Sequence, residues 1–157
     1  MVHYNFTGEY ICTLDAKNRL NIPSAIRKMI GTEASDTLIF APGFEQHNLY
    51  VYPLDEWKRL TDSFKKFKPN DVNAQNFIRF FVSGAHTVTM DSQGRIMLPS
   101  RILDMAEINS ELLILGMVNK MEVWNPAKYN EYRNKIGMDL GQLVKEINFS
   151  DLNYEEE

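Results

Sequence analysis

The chain has 157 residues, of which 44% are hydrophobic and 24% charged, and its net charge is −4. These values are typical of a soluble globular protein of one or two small domains, and no segment approaches the roughly 20 consecutive apolar residues that span a bilayer. The N-terminus lacks the pattern of a signal peptide, and the single cysteine, Cys12, allows no intramolecular disulfide. We therefore expect a cytoplasmic protein without a membrane partner.

The negative charge is concentrated near the C-terminus. Residues 138–157 contain six acidic residues and one lysine, so residues 1–136 carry +1 of the total of −4. We expect the segment 138–157 to be an acidic, solvated and partly disordered tail. The overall sign of the charge therefore neither supports nor excludes DNA binding, because its distribution matters more than its sum.

The first predicted elements are two strands joined by a short turn. Apolar residues alternate with polar ones on both sides of the turn: Cys12 and Leu14 before it, Leu20 and Ile22 after it. This period of two is typical of half-buried strands. The turn contains Asn18, which tolerates the left-handed conformation that a short hairpin loop requires. The pattern predicts a β-hairpin.

A short helix and two further strands are predicted next. Pro23 and Ser24 end the strand and begin a helix whose inward residues would be Ile26, Met29 and Ile30, and we expect Gly31 to end it. Strands are predicted over residues 37–41 and 48–52, with a turn that starts at Pro42 and Gly43.

Two connector helices follow. One apolar stripe is formed by Trp57, Leu60, Phe64 and Phe67, and a second, after the break at Pro69, by Ala74, Phe77, Ile78 and Phe81. We expect both stripes to pack in the core and Asp71 to cap the second helix. The basic residues on the other faces form either a solvated helix surface or a phosphate-binding patch: Lys58, Arg59, Lys65, Lys66 and Lys68.

The chain contains an internal repeat. Residues 13–24 (TLDAKNRLNIPS) align with residues 89–100 (TMDSQGRIMLPS) at an offset of 76 residues. The second copy also has a short helix, with Ile102, Leu103 and Met105 inward, and strands over residues 111–116 and 121–124. We therefore divide the chain into module 1 (8–60), connector (61–83), module 2 (84–133) and tail (138–157). Because one copy is too small to be comfortably stable alone, the two should share one core, with hairpins that pack against or exchange with each other.

The repeated segments resemble the D-x-x-x-R signature of the MraZ family, which is related to AbrB-type swapped-hairpin proteins. Residues 52–57 (YPLDEW) and 122–124 (EVW) also resemble that family's pattern. The resemblance implies an α+β fold of tandem swapped-hairpin modules, a pseudo-symmetric β-barrel-like core and a helical connector. It also implies a nucleoid-associated repressor of the division and cell-wall gene cluster, which binds repeated promoter boxes, including its own promoter, as a ring-shaped homo-oligomer.

The candidate DNA-binding residues follow from the matched signature and its neighbours. They are Asp15, Lys17, Asn18 and Arg19 in the first turn, Arg27 and Lys28 on the following helix, and Asp91 and Arg95 in the second turn. Arginine can hold a phosphate or the edge of guanine. The alternative is that each Asp–Arg pair only stabilises its turn, and that the loop and helix charges are merely solvated. Module 2 is predicted to bind DNA more weakly, because residues 84–106 are neutral.

Three other functions are alternatives to DNA binding. An enzyme is not expected, because His3, His47 and His86 have no partners at metal-ligand spacing and no phosphate-binding loop or nucleophile motif is present. No metal or other cofactor is therefore predicted. A protein-interaction scaffold without DNA binding is the main alternative. An antitoxin is a third, although such proteins usually have a single copy of the module.

Overall fold

The computed structural model describes residues 3–45 and 47–148. Within these residues, helices and strands follow the two copies in order. The first copy contains β1 (Glu9–Thr13), β2 (Arg19–Asn21), α1 (Ser24–Met29), a 3-10 turn (Thr32–Ala34), β3 (Thr37–Pro42), β4 (Leu49–Pro53), α2 (Leu54–Phe64) and α3 (Val72–Phe81). The second contains β5 (His86–Thr89), β6 (Arg95–Met97), α4 (Ser100–Met105), β7 (Glu111–Met117), β8 (Lys120–Trp124), α5 (Pro126–Ile136) and α6 (Leu140–Glu146).

The strands form one six-stranded antiparallel sheet and a separate two-stranded ribbon. The order in the sheet is β1-β7-β8-β4-β3-β5, and the ribbon pairs β2 with β6. The counterparts in the two copies are β1 and β5, β3 and β7, and β4 and β8. When each strand is replaced by its counterpart, the result is the same strand order read from the other edge of the sheet. The two copies are therefore related by a pseudo-two-fold axis that passes between β4 and β8 and through the ribbon.

The predicted turns are present, but the two strands of each predicted hairpin do not pair with each other. β1 pairs with β7, β5 pairs with β3, and β2 pairs with β6. The prediction of a simple hairpin is therefore wrong, whereas the exchange of strands between the copies is confirmed. The alternation of apolar and polar residues predicts which side chains are buried, but it does not predict which strand is the pairing partner.

The sheet does not close into a barrel. β1 and β5 lie at its two edges and no pairing joins them in the described part of the chain. The α+β class and the tandem modules are as predicted, but the barrel-like core is corrected to an open sheet with a ribbon across one face. Closure would require the two edge strands to meet, and each instead leads into a strand of the ribbon.

Both faces of the sheet are covered, which explains why β3, β4 and β8 are almost entirely buried. On one face, Leu38, Phe40, Leu49 and Val51 join the main core with Leu20 and Ile96 from the ribbon. The inward residues of α1 and α4 belong to the same core, as predicted. Burial of this apolar surface is the main force that holds the ribbon against the sheet.

The helices α2 and α3 cover half of the other face. Trp57, Leu60, Phe64 and Phe77 pack against Tyr50 and Tyr52 of β4, which confirms that the connector stripes are core. Asp71 caps α3, because its side chain accepts a hydrogen bond from the backbone N–H of Ala74 at 3.1 Å. Two details differ from the prediction. α1 ends at Met29 with Ile30 as its cap, and Phe67 lies beyond the end of α2 with 39% of its surface exposed.

The helices α5 and α6 follow the last strand of the second copy. Tyr129 and Tyr132 of α5 pack on Trp124, and Asp139 caps α6 in a reciprocal arrangement with Gln142. The predicted acidic tail therefore contains a helix, and residues 149–157 lie outside the described residues. In residues 3–45 and 47–148, no helix has both the length and the apolar character needed to cross a membrane.

Candidate nucleic-acid interface

The carboxylate of Asp15 organises the first D-x-x-x-R turn. Its Oδ1 accepts hydrogen bonds from the backbone N–H groups of Lys17 (2.8 Å) and Arg19 (2.9 Å), and its Oδ2 accepts one from Nε of Arg19 (2.7 Å). The backbone N–H of Asp15 donates to the carbonyl of Arg19 at 3.0 Å. A short side chain with two acceptor oxygens satisfies the loop backbone and the arginine at once, which explains why aspartate stands here.

The second turn repeats this geometry. Oδ1 of Asp91 accepts from the backbone N–H groups of Gln93 (2.9 Å) and Arg95 (3.0 Å), and Oδ2 accepts from Nε of Arg95 (2.9 Å). The residue before the arginine is left-handed in both turns, with φ of 59° at Asn18 and 75° at Gly94. The prediction that Asn18 adopts the left-handed conformation of a short loop is confirmed.

The hydrogen bonds lower the pKa of both aspartates. For each of them the largest cause is the bond from the backbone N–H of its arginine, and the guanidinium bond lowers the pKa further. Both carboxylates are therefore ionised at neutral pH. Exposed ion pairs of this kind contribute little to folding stability, so their main effect is to fix the direction of the arginine side chain.

Each arginine keeps part of its hydrogen-bonding capacity. Only Nε of Arg19 and of Arg95 bonds to the neighbouring aspartate, and no acceptor for the terminal Nη groups occurs among the described residues. The side chains are about one-third exposed, at 34% for Arg19 and 32% for Arg95. The turns therefore hold two oriented guanidinium groups whose outer nitrogens remain able to bind an anion or a base edge.

The ribbon brings the two arginines onto one surface. β2 and β6 are antiparallel, with Arg19 opposite Met97, Leu20 opposite Ile96, and Asn21 opposite Arg95. Since Leu20 and Ile96 are each only 1% exposed, the alternating residues on both strands face outward. The outward surface of the ribbon consists of Arg19, Asn21, Arg95 and Met97.

The two turns are also tied to each other. The backbone N–H of Ile22 donates to the carbonyl of Gly94, and that of Leu98 donates to the carbonyl of Asn18, both at 3.0 Å. Each turn is therefore held by the strand that leaves the other turn. The arginines are positioned by one connected unit rather than by two independent loops.

The remaining candidate residues lie around this unit in different settings. Lys17 and Lys28 are exposed, whereas Asn18 is only partly exposed and its backbone carbonyl accepts the bond from Leu98. Asn18 is therefore less accessible to a partner than Lys17. Arg27 crosses to the second copy and lies directly over Gly94, where a Cβ atom would collide with its side chain. The structure thus adds a cation to the turn of the supposedly neutral module.

Sequence reasoning did not select Asn21 and Met97, although both lie on the outward ribbon surface. The alternation of Asn21 with Leu20 and Ile22 could have indicated the first. Met97 is 61% exposed, and its apolar character gave no such signal. No group of three or more potential metal-ligating side chains occurs in residues 3–45 and 47–148.

These features define a class of protein: a tandem repeat whose two copies exchange strands and together present an arginine-bearing β-ribbon. The family model described as "MraZ protein, putative antitoxin-like" matches residues 5–80 and again residues 81–146. The chain belongs to the MraZ family, which confirms the resemblance found in the sequence.

Individual relatives agree with this assignment. The chain is 39% identical to the transcriptional regulator MraZ of Clostridium acetobutylicum over 142 residues, which is 90% of this chain and 96% of that protein. It is 34% identical to the protein of the same name in Clostridium tetani, again over 90% of this chain and 96% of the relative. These proteins are named as regulators and not as enzymes, in agreement with the expectation that this chain is not an enzyme.

Proposed function

We propose that this chain is a sequence-specific DNA-binding transcriptional regulator that contacts double-stranded DNA with the β2–β6 ribbon and its two turns. The observation that supports this proposal most strongly is the pair of D-x-x-x-R turns. In each of them the aspartate holds Nε of the arginine at 2.7–2.9 Å and leaves the terminal nitrogens unused. Family membership supports the same function.

The ribbon suits the major groove of B-DNA, which admits a two-stranded β-ribbon. In our proposal Arg19 and Arg95 contact guanine edges or phosphates, and Asp15 and Asp91 orient them. Lys17 and Asn18 at the first turn and Arg27 and Lys28 on α1 add contacts to the phosphate backbone, which position the protein without selecting a base sequence. The modules 8–60 and 84–133 would act as one DNA-binding unit, because the ribbon takes one strand from each.

The finer assignment follows from the family. We propose that the chain represses the division and cell-wall gene cluster, including its own promoter, by binding repeated promoter boxes, and that it associates with the nucleoid. A single ribbon offers few cations and should bind weakly by itself. Several ribbons joined in one assembly would bind repeated boxes much more tightly, because binding of the first box raises the effective concentration at the next.

Exposed apolar surfaces on both halves of the chain support a ring-shaped homo-oligomer. Phe80 of α3 is 71% exposed and Phe44 beside that helix is 63% exposed, while Leu140 and Val144 of α6 are 81% and 50% exposed. Two different surfaces that bind each other produce a head-to-tail contact, and such contacts close into rings when the rotation allows. Light scattering of the purified chain should give a mass of several protomers, and a monomer at micromolar concentration would contradict this part of the proposal.

The test of the function is equilibrium binding to the promoter DNA upstream of the chain's own gene, measured by fluorescence anisotropy at two salt concentrations. We expect the unmodified protein to bind this DNA with an affinity that falls steeply as the salt concentration rises. Arg19→Ala should bind at least about tenfold more weakly, the loss expected for one good base contact. The matched control is Arg79→Ala, because Arg79 is an exposed arginine of α3 on the opposite side of the sheet.

The outcomes separate the alternatives. Equal losses in Arg19→Ala and Arg79→Ala would mean that general charge, and not the turn, governs binding. Unchanged binding by Arg19→Ala would move the contact to another surface, with the basic residues of α2 as the next candidates. Absence of binding by the unmodified protein would refute the DNA-binding proposal and favour the scaffold.

A further inference from the structure

The outward surface of the ribbon is symmetric in one pair of residues and asymmetric in the other. At the repeat offset of 76 residues, Arg19 corresponds to Arg95, and Asn21 corresponds to Met97. The arginines are identical and are held by matching hydrogen bonds. The second pair combines an amide, which donates and accepts hydrogen bonds, with a thioether, which donates none and accepts only weakly.

The register makes the four side chains a compact group. Arg19 lies directly across from Met97, and Asn21 lies directly across from Arg95. The pseudo-two-fold axis passes through the pair Leu20 and Ile96, so each arginine has a different neighbour on the facing strand. Met97 is 61% exposed, so its apolar side chain is accessible for a contact on the same surface as Arg19.

We propose that Asn21 and Met97 give the ribbon a direction, so that one ribbon prefers a non-palindromic DNA site in a single orientation. This inference rests on the proposed DNA-binding function and deepens it. The two arginines would contact equivalent positions in the two halves of the site. Asn21 and Met97 would also contact equivalent positions, but because the two side chains differ, those positions should carry different bases.

The chemistry of the two side chains defines what each half prefers. An asparagine amide can donate to and accept from adenine through N6 and N7, whereas an apolar side chain favours the methyl group of thymine. The Asn21 half should therefore select adenine, and the Met97 half should select thymine or another base that presents apolar surface. A palindromic site presents the same base at the equivalent positions that face Asn21 and Met97, so we expect it to suit only one half of the ribbon.

The turn tips offer a competing source of direction. Lys17 and Gln93 are equivalent positions and both are exposed, so the two ends of the ribbon also differ in charge. A lysine at a loop tip acts mainly on phosphates, and phosphate contacts carry no sequence information. Removing this charge difference should lower affinity without changing which half-site is preferred.

The experiment begins with selection of the best single-box duplex from a randomised pool with the unmodified protein. Two symmetrised duplexes are then made from the selected box, each by replacing one half with the inverted copy of the other. Binding to all three duplexes is measured for the unmodified protein, Asn21→Met, Met97→Asn and the control Lys17→Gln. The variants carry exposed substitutions, and a gain of binding to a particular duplex cannot result from misfolding.

We expect the unmodified protein and Lys17→Gln to prefer the selected duplex over both symmetrised ones by about tenfold, the ratio typical of one base contact. Asn21→Met should prefer one symmetrised duplex and Met97→Asn the other, by a similar ratio. Unchanged preferences in both variants, or a switch in Lys17→Gln instead, would overturn the inference and leave the proposed function intact. Failure of the unmodified protein to select any sequence would refute the proposed function itself.

Discussion

The two turns of the ribbon share every hydrogen bond that shapes them but differ at all three positions between the aspartate and the arginine. In both, aspartate binds the loop backbone and Nε of an arginine, and the preceding residue is left-handed. The turns differ at Lys17 and Gln93, and at Asn18 and Gly94. Aspartate, arginine and a residue that tolerates the left-handed conformation therefore set the geometry, and positions such as Lys17 and Gln93 can differ without changing it.

The surroundings of the two turns also differ, and this difference partly offsets the difference in charge between Lys17 and Gln93. Arg27 leaves α1 of the first copy and covers Gly94 of the second. Its counterpart at the repeat offset is Leu103, which is only 4% exposed and belongs to the core. The first turn keeps its own lysine, whereas the second obtains its additional cation from the other copy.

The largest expected effect is on DNA affinity. We predict that Arg95→Ala weakens promoter binding about as much as Arg19→Ala, at least about tenfold, because both arginines are oriented alike and each turn has one further cation nearby. Anisotropy titrations of both variants measure this directly. A loss confined to Arg19→Ala would contradict this prediction and would favour the weaker DNA binding of module 2 that its neutral sequence indicated.

A stability comparison at the left-handed position comes next. Gly94→Ala should lower the free energy of unfolding by about 1–2 kcal/mol, because φ is 75° there and a Cβ atom would displace Arg27. Asn18→Gly should change it by only a few tenths, about the difference between two residues that both tolerate this conformation. Urea denaturation measures the free energy of unfolding of both variants. Equal losses of stability in Gly94→Ala and Asn18→Gly would contradict the difference in packing between the two positions.

The smallest expected effect is a pH dependence. The pKa of Asp15 is lowered in the folded chain, mainly by the hydrogen bond from the backbone of Arg19. Its stabilising effect is therefore complete above the unfolded pKa of about 3.9 and is lost as the pH falls through the lower folded value. Asp15→Asn should flatten this part of the stability curve, and Asp91→Asn should do the same. Thermal unfolding across acidic pH measures the change, and unaltered curves in both variants would contradict it.

Much of the local structure could be predicted from the sequence because it depends on local rules. The alternation around residue 20 predicts a strand, Asp71 predicts a helix start, and the aromatic spacing from Trp57 to Phe64 predicts a buried helix face. The left-handed slot at Asn18 also follows from residue type alone. Repetition of the same pattern 76 residues later predicts two equivalent modules.

The partners of these elements could not be predicted in the same way. Alternation places Leu20 inward but does not predict whether β2 pairs with β1 or with β6. Arg19 and Arg95 share a surface only because β2 pairs with β6. The contact of Arg27 with Gly94 joins residues far apart in sequence and has no counterpart in the other copy. The candidate arginines were therefore identified from sequence, while Asn21 and Met97 became visible only through the pairing of the ribbon.

The claim that both turns act on one DNA site can be tested directly by photo-cross-linking. A photo-reactive amino acid is placed at position 17, 93 or, as a control on α3, position 79, and the full-length protein is irradiated with its promoter duplex. We predict that positions 17 and 93 both cross-link to the same box and that position 79 does not. Cross-links from position 79 alone, or from neither turn when the protein is bound, would contradict the account.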